Sequence, residues 1–204
     1  MEEREAKYRR AWARIAGLMY WLVFIFDFSG MLLGRTSTGH WLALVGGIFT
    51  IPLAYGLYVA VAPVNRTIAA AAFGCRLIEI VFTLTSVMTG FTAIRTALAG
   101  SPVLDIAHWD HSHSFSAFVF TIGSTLFFLL FFRSRIIPVA FSALGIFASV
   151  LAFGACLAHF VHPAFSAMSM WAWIPMIFAE LGTGAWLLFR SVCYAQAPAQ
   201  LRTV

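Results

Sequence analysis

The sequence predicts an all-α integral membrane protein, a six-span transmembrane helical bundle with both termini cytoplasmic. Three observations carry that reading. Of the 204 residues, 61% are hydrophobic and 10% charged, and the mean hydropathy is positive, which lies outside the range of soluble domains. The apolar residues gather into six long runs joined by short connections, and about 20 apolar residues suffice to cross a hydrocarbon layer about 30 Å thick. Finally, the basic residues alternate. Arg4, Lys7, Arg9, Arg10, Arg14, Arg66, Arg133, Arg135, Arg190 and Arg202 fall at one set of run ends, against Arg35 and Arg95 at the other. The basic-rich side is expected to be cytoplasmic. Trp12 and Trp186 mark the aromatic belt on that side, and Trp41, Trp109, Trp171 and Trp173 the belt opposite.

Residues 1–10 read as a solvated cytoplasmic lead-in, 11–190 as the six-helix transmembrane domain and 191–204 as a cytoplasmic tail. The first span is expected from about Ala11 to Leu33. It follows basic residues as a signal peptide would, but it is too long for one, contains Asp27 and is followed by no small-residue cleavage site, so it reads as retained. Span two covers about Trp41 to Val61, with Pro52 as a kink. The turn Ala62 to Thr67 restarts the helix as span three, which continues to about Gly90 and is followed by a looser connection, Phe91 to Ser101. Ser101 and Pro102 are a helix start, an N-cap with proline in the first turn. Span four then runs to about Phe132. Span five is expected from about Ile136 to His159 and stops at His162-Pro163, because the residue before proline is pushed out of helical geometry. Span six runs from about Ser166 to Phe189.

The net charge of +5 is accounted for by orientation in the membrane, so nucleic-acid binding is not expected. Cys75 and Cys156 lie inside spans and Cys193 just after the last, without paired spacing, which argues against disulfides and cysteine metal sites.

The densest polar chemistry is the stretch Pro102 to Phe115. His108, His111 and His113 fall there with Asp105 and Asp110, and imidazole and carboxylate are the usual ligands of zinc, copper and iron. On a helix, Asp105, His108 and His111 share a face. His159 and His162 end span five and would meet that face if spans four and five are neighbours, an adjacency the short Arg133–Ile137 turn favours. His40 lies on the same, outer side. One reading is therefore an outer-face layer that binds a transition metal or haem, with Asp27 as a ligand or as an acceptor behind one. The alternative is neutral histidines hydrogen-bonded at the membrane interface; no established histidine-box spacing is present.

Charges within the spans form the second candidate. Arg76 lies about 15 Å into span three at 1.5 Å per residue, near the bilayer midplane. Glu79 shares its face, and Glu180 sits at similar depth on span six. Charges at that depth are costly unless they face the bundle and pair. Such a cluster is either a packing clamp between spans three and six, or a proton or ion relay or anchor for a polar substrate group.

Four stretches carry a family resemblance: Ala13-Arg-Ile-Ala-Gly-Leu-Met-Tyr20; Pro63-Val-Asn-Arg-Thr-Ile-Ala69 leading to Arg76-Leu-Ile-Glu79; Arg133-Ser-Arg-Ile-Ile-Pro138; and Phe178-Ala-Glu-Leu-Gly-Thr-Gly-Ala-Trp-Leu-Leu-Phe189. In order and spacing the chain resembles a bacterial family of multi-span membrane proteins described as domain of unknown function 4386. The resemblance implies a bacterial inner-membrane bundle in which Arg76, Glu79 and Glu180 match polar positions of the family pattern. It brings no established activity. The chain departs from the pattern in span four, where Thr121 to Phe132 lacks the family's glycine-rich pattern, and in its richer histidine set.

Three functional classes follow. The first is an inner-membrane protein whose outer-face histidines hold a transition metal or haem, in its enzymatic version an oxidoreductase acting on a lipid-soluble substrate within an aromatic-rich pocket. The second is a small transporter or permeation module using Arg76, Glu79 and Glu180. The third is a non-catalytic subunit or scaffold for a larger membrane complex. The expected partners are the lipid bilayer, a small hydrophobic ligand and, in the third class, a membrane-complex partner.

Overall fold

The computed structural model describes residues 2–33, 36–98, 106–161 and 171–190, with their side chains except those of 2, 92–98, 106–114, 159 and 160. Six helices follow one another: α1 Glu2–Leu33, α2 Ser37–Val61, α3 Arg66–Leu98, α4 Ile106–Ser134, α5 Val139–Val161 and α6 Ile174–Phe189. Five are long and apolar enough to cross a membrane, and α6 is an apolar helix of 16 residues. Their outward side chains are apolar too. Val81, Phe147 and Phe178 are each at least 60% exposed, an exterior suited to hydrocarbon rather than water. The protein is an all-α membrane bundle.

Local chemistry sets the helix ends. The Thr36 side chain accepts the Gly39 N–H at 3.1 Å and so caps α2, and Asn65 Oδ1 accepts the Ile68 N–H at 3.0 Å at the start of α3, each satisfying an orphan donor of a first turn. Between α4 and α5, Arg135 takes a positive φ of 53°, the left-handed conformation that commonly ends helices. The Pro138 carbonyl then accepts the Ser142 N–H at 3.2 Å. The turn therefore occupies 135–138 and α5 begins at Val139 rather than near Ile136.

A larger difference lies in α3, which continues to Leu98 where a looser connection after Gly90 was expected. Its polar residues do not interrupt it, because they turn their hydroxyls back onto the helix: Thr85 donates to the Val81 carbonyl at 2.7 Å and Thr89 to that of Thr85 at 2.9 Å. Hydroxyls satisfied in this way are compatible with an apolar surround. The expected starts and stops at Ser101-Pro102, His162-Pro163 and Ser166 lie outside the described residues.

Each helix packs against the next in the chain, and α6 returns to pack on α1, so the six close a ring. Neighbours are antiparallel. The Tyr8 and Tyr55 hydroxyls lie 2.9 Å apart at one end of the α1/α2 pair, while Gly30 packs on the Gly39 backbone at the other. The start of α1 and the end of α6 therefore share one end of the bundle. That end is filled by the core, in which Ala13, Leu57, Phe127, Phe131, Ile137 and Leu187 are buried. The α1/α6 seam is tight there: a Cβ on Gly17 would stand 2.7 Å from the Gly184 carbonyl oxygen and from the Leu188 nitrogen, a backbone approach that small residues permit.

Candidate functional site

Arg76 is the most deeply buried charged residue of the described bundle, 2% exposed. Its Nη1 donates to Glu79 Oε2 at 2.9 Å, one helical turn on. Nη2 donates to Ser124 Oγ on α4 at 3.0 Å and to Glu180 Oε1 on α6 at 3.1 Å. The guanidinium carbon lies 4.2 Å from the centre of the Phe120 ring, within cation–π range. Tyr20 of α1 stands beside the same group. Arg76 Nε is sealed from solvent and has no hydrogen-bond partner among the described residues. One cation thus gathers α3, α4 and α6 through charge-assisted hydrogen bonds, the stronger kind.

Above this cluster the bundle is hollow. A cavity of about 630 Å³ extends from Arg76, Glu79 and Glu180 toward the end where α2 begins. Its walls come from α1, α2, α3, α4 and α6, and α5 contributes none of them. Much of the wall is apolar, with Phe24, Phe28, Phe120, Trp173, Met176 and Ile177 prominent. The volume falls in the range of about 300–1,000 Å³ typical of small-molecule sites.

Asp27 also lines the cavity, packed so closely on α2 that a Cβ at Gly46 would collide with its carboxylate. It lies seven residues beyond Tyr20 on α1, about 10 Å along the axis. Asp27 therefore faces the same space as Arg76, Glu79 and Glu180. His40 lines that space as well.

The hydroxyls of the wall are engaged. Thr50 Oγ1 donates to the Gly46 carbonyl at 3.1 Å and Ser86 Oγ to that of Phe82 at 2.9 Å. Thr83 and Ser116 lie 2.7 Å apart, and Ser116 Oγ donates to the Glu79 carbonyl at 3.2 Å. His40 is buried at the far end, its Nδ1 donating to the Thr36 carbonyl at 2.9 Å.

The histidine stretch is placed by its backbone alone. His108, His111 and His113 fall in the first turns of α4 and His159 in the last turn of α5, while Asp105 and His162 lie outside the described residues. Among the described residues no group of three His, Cys, Asp or Glu is arranged to hold a metal ion. The residues missed by sequence reasoning are Tyr20, Phe120 and Ser124. A signal for the last two was present, since Ser116, Phe120 and Ser124 recur every four residues and so share one face of α4.

A family model described as "Domain of unknown function (DUF4386)" matches residues 34–191. The chain belongs to this family. The DUF4386 match takes in Arg76, Glu79, Ser124 and Glu180, so the whole ion-pair cluster lies within it, whereas α1 with Tyr20 and Asp27 precedes it. No curated protein matches the chain, and no solved structure does.

Proposed function

We propose that this DUF4386 protein is a small-molecule binding module of the bacterial inner membrane, of transporter or permeation type, whose cavity takes a small lipid-soluble molecule. Arg76, Glu79 and Glu180 anchor the polar part of that molecule. The observation that carries the reading is the 630 Å³ cavity with an ion-pair cluster at its inner end. A packing clamp alone needs no such space, since interiors otherwise close-pack to few voids larger than a water. Purified protein is expected to gain melting temperature with added dodecanol, because a ligand that binds the folded state stabilises it by mass action. Ala117→Trp, which fills the cavity from α4, should abolish that gain. Equal gains in the two proteins, or none in the parent, would overturn the reading.

A second reading keeps the histidine layer as a transition-metal or haem site. It is favoured by the antiparallel pairing of α4 and α5, which brings the starting turns of α4 (His108, His111, His113) and the closing turn of α5 (His159) to one end of the bundle; Asp105 and His162 adjoin them in sequence. On this reading His111→Ala and His159→Ala each lower the metal or haem content of purified protein. A parent protein that binds no zinc, copper or haem on addition would exclude it.

A further inference from the structure

The cavity offers a ligand far more acceptors than donors. Among the described residues, Glu79 Oε1, Glu180 Oε2 and both Asp27 oxygens accept no hydrogen bond, since Arg76 engages one oxygen of each glutamate. Four hydroxyls of the wall are engaged: those of Thr50, Ser86 and Ser116 donate to main-chain carbonyls, and Thr83 pairs with Ser116; the Tyr20 hydroxyl and the Trp173 indole are its further donors. Of the five guanidinium N–H groups, three donate to Glu79, Ser124 and Glu180, and that on Nε is sealed from the cavity. Three carboxyls face one guanidinium, so when they are ionised the site carries an excess of negative charge that a cationic ligand relieves. An anionic ligand would meet three carboxyls and a guanidinium already shared by two of them. An ammonium finds both acceptors and the aromatic faces of Phe24, Phe28, Phe120 and Trp173.

The apolar part of the same ligand also has a place. On α1 the stripe Gly17, Trp21, Phe24, Phe28 and Met31 repeats at three- and four-residue spacing, so it forms one face. Its lower part packs on Gly184 of α6; its upper part lines the cavity opposite Trp173, Ile177 and Leu181. The two helices therefore touch at Gly17 and Gly184 and leave cavity between them farther along. Phe28 and Met31 are cavity wall and 42% and 65% exposed, an exposure that fits an opening of the cavity toward the lipid-facing surface along this seam.

Resting on the binding role proposed above, we propose that the ligand is a single-chain amphiphile with an ammonium head. The head lies between Asp27 and the Glu79/Glu180 pair, and the chain leaves toward the bilayer between α1 and α6. The test uses the full chain in phosphatidylcholine nanodiscs, with empty nanodiscs as reference, and radiolabelled dodecylamine, dodecanol and dodecanoate as probes. Saturable binding is expected to be about tenfold tighter for the amine than for the alcohol, the difference a single hydrogen bond to a charged group makes. Dodecanoate should show no saturable component. Asp27→Asn should remove most of the amine's advantage while dodecanol binding persists, which shows that the variant is folded. Equal affinity for amine and alcohol, preference for the carboxylate, or an unchanged amine advantage in Asp27→Asn would overturn the ammonium assignment and leave the binding role standing. Absence of saturable binding by all three probes would overturn both.

Discussion

Arg76 Nη2 and Glu180 Oε1 lie 3.1 Å apart, although no Cα of α3 comes within 8 Å of one of α6 among the described residues. The long guanidinium side chain thus bridges two helices whose backbones do not meet, at the level where the packed core gives way to the cavity. Such a bridge fixes the spacing of α3 and α6 without filling the space between them. It also costs more to break than it contributes to stability, because a buried charge left alone is worse than none.

The two partners are not equivalent. Arg76→Met strands Glu79 and Glu180 together and should cost about 3–5 kcal/mol. Glu180→Gln keeps an oxygen to accept from Nη2 and leaves one balanced pair, Arg76 with Glu79, so a loss of about 1 kcal/mol or less is expected. The double variant should fall between the singles. Denaturation of all three in nanodiscs checks the order, and additive effects would mean that the contact is not energetically real.

The α1/α6 seam gives a contrast between two glycines. At Gly17 an added methyl meets two backbone atoms of α6, each 2.7 Å away, so Gly17→Ala should destabilise by about 1–3 kcal/mol through overpacking. At Gly74 of α3 an added Cβ meets nothing within 4 Å. Gly74→Ala should therefore stabilise by about 0.4–1 kcal/mol, since alanine loses less conformational freedom on folding. Thermal denaturation of the pair separates the effects, and a neutral Gly17→Ala would mean that the seam is looser than described.

The bundle itself was legible because its signals are local: run length, hydropathy and basic residues at run ends follow from the solvent alone. Arg76, Glu79 and Glu180 were legible for the same reason, since a charge at that depth must find a partner. The cavity was not. It is lined from five helices, with Phe24 of α1 and Ile177 of α6 among its walls, and so depends on packing between segments far apart in sequence. Asp27 illustrates the limit: its depth was readable, but its seat on Gly46 required knowing that α2 lies against that face. The extension of α3 to Leu98 was hidden by Gly90, read as the end of span three, where the helix instead makes room for the His40 ring.

Two hydroxyls near the cluster should respond in opposite directions. Ser124 Oγ accepts from Arg76 at 3.0 Å and is buried, so Ser124→Ala leaves part of a buried charge unsatisfied and should cost about 1–3 kcal/mol. Thr183 Oγ1 is buried without a partner among the described residues. Removing it by Thr183→Val should stabilise the protein by about 1 kcal/mol, the order of the burial cost of an unpaired hydroxyl. A destabilised Thr183→Val, seen as a fall in melting temperature, would mean that the hydroxyl has a partner such as water in the cavity.

Orientation decides which side of the membrane the cavity serves. The start of α1, the α2/α3 and α4/α5 turns and the end of α6 share one end of the bundle and carry nine of the 13 basic residues. That end is expected in the cytoplasm, with both termini there. It is also the end closed by Leu57, Phe127, Phe131 and Leu187. The cavity and the turns that carry His40 and His108 would then occupy the outer half of the bilayer, and a ligand passing between α1 and α6 would come from the outer leaflet. Reporter fusions check this: a cytoplasmic reporter should be active after Val204 and inactive when inserted at Ser101. The reverse pattern would turn the bundle over, so that the same seam would draw on the inner leaflet and the basic residues would face outward against the charge bias. A reporter after Val204 that disagrees with one fused ahead of Met1 would mean an odd number of crossings, which would remove α6 from the set of spans while leaving its contact with Gly17 intact.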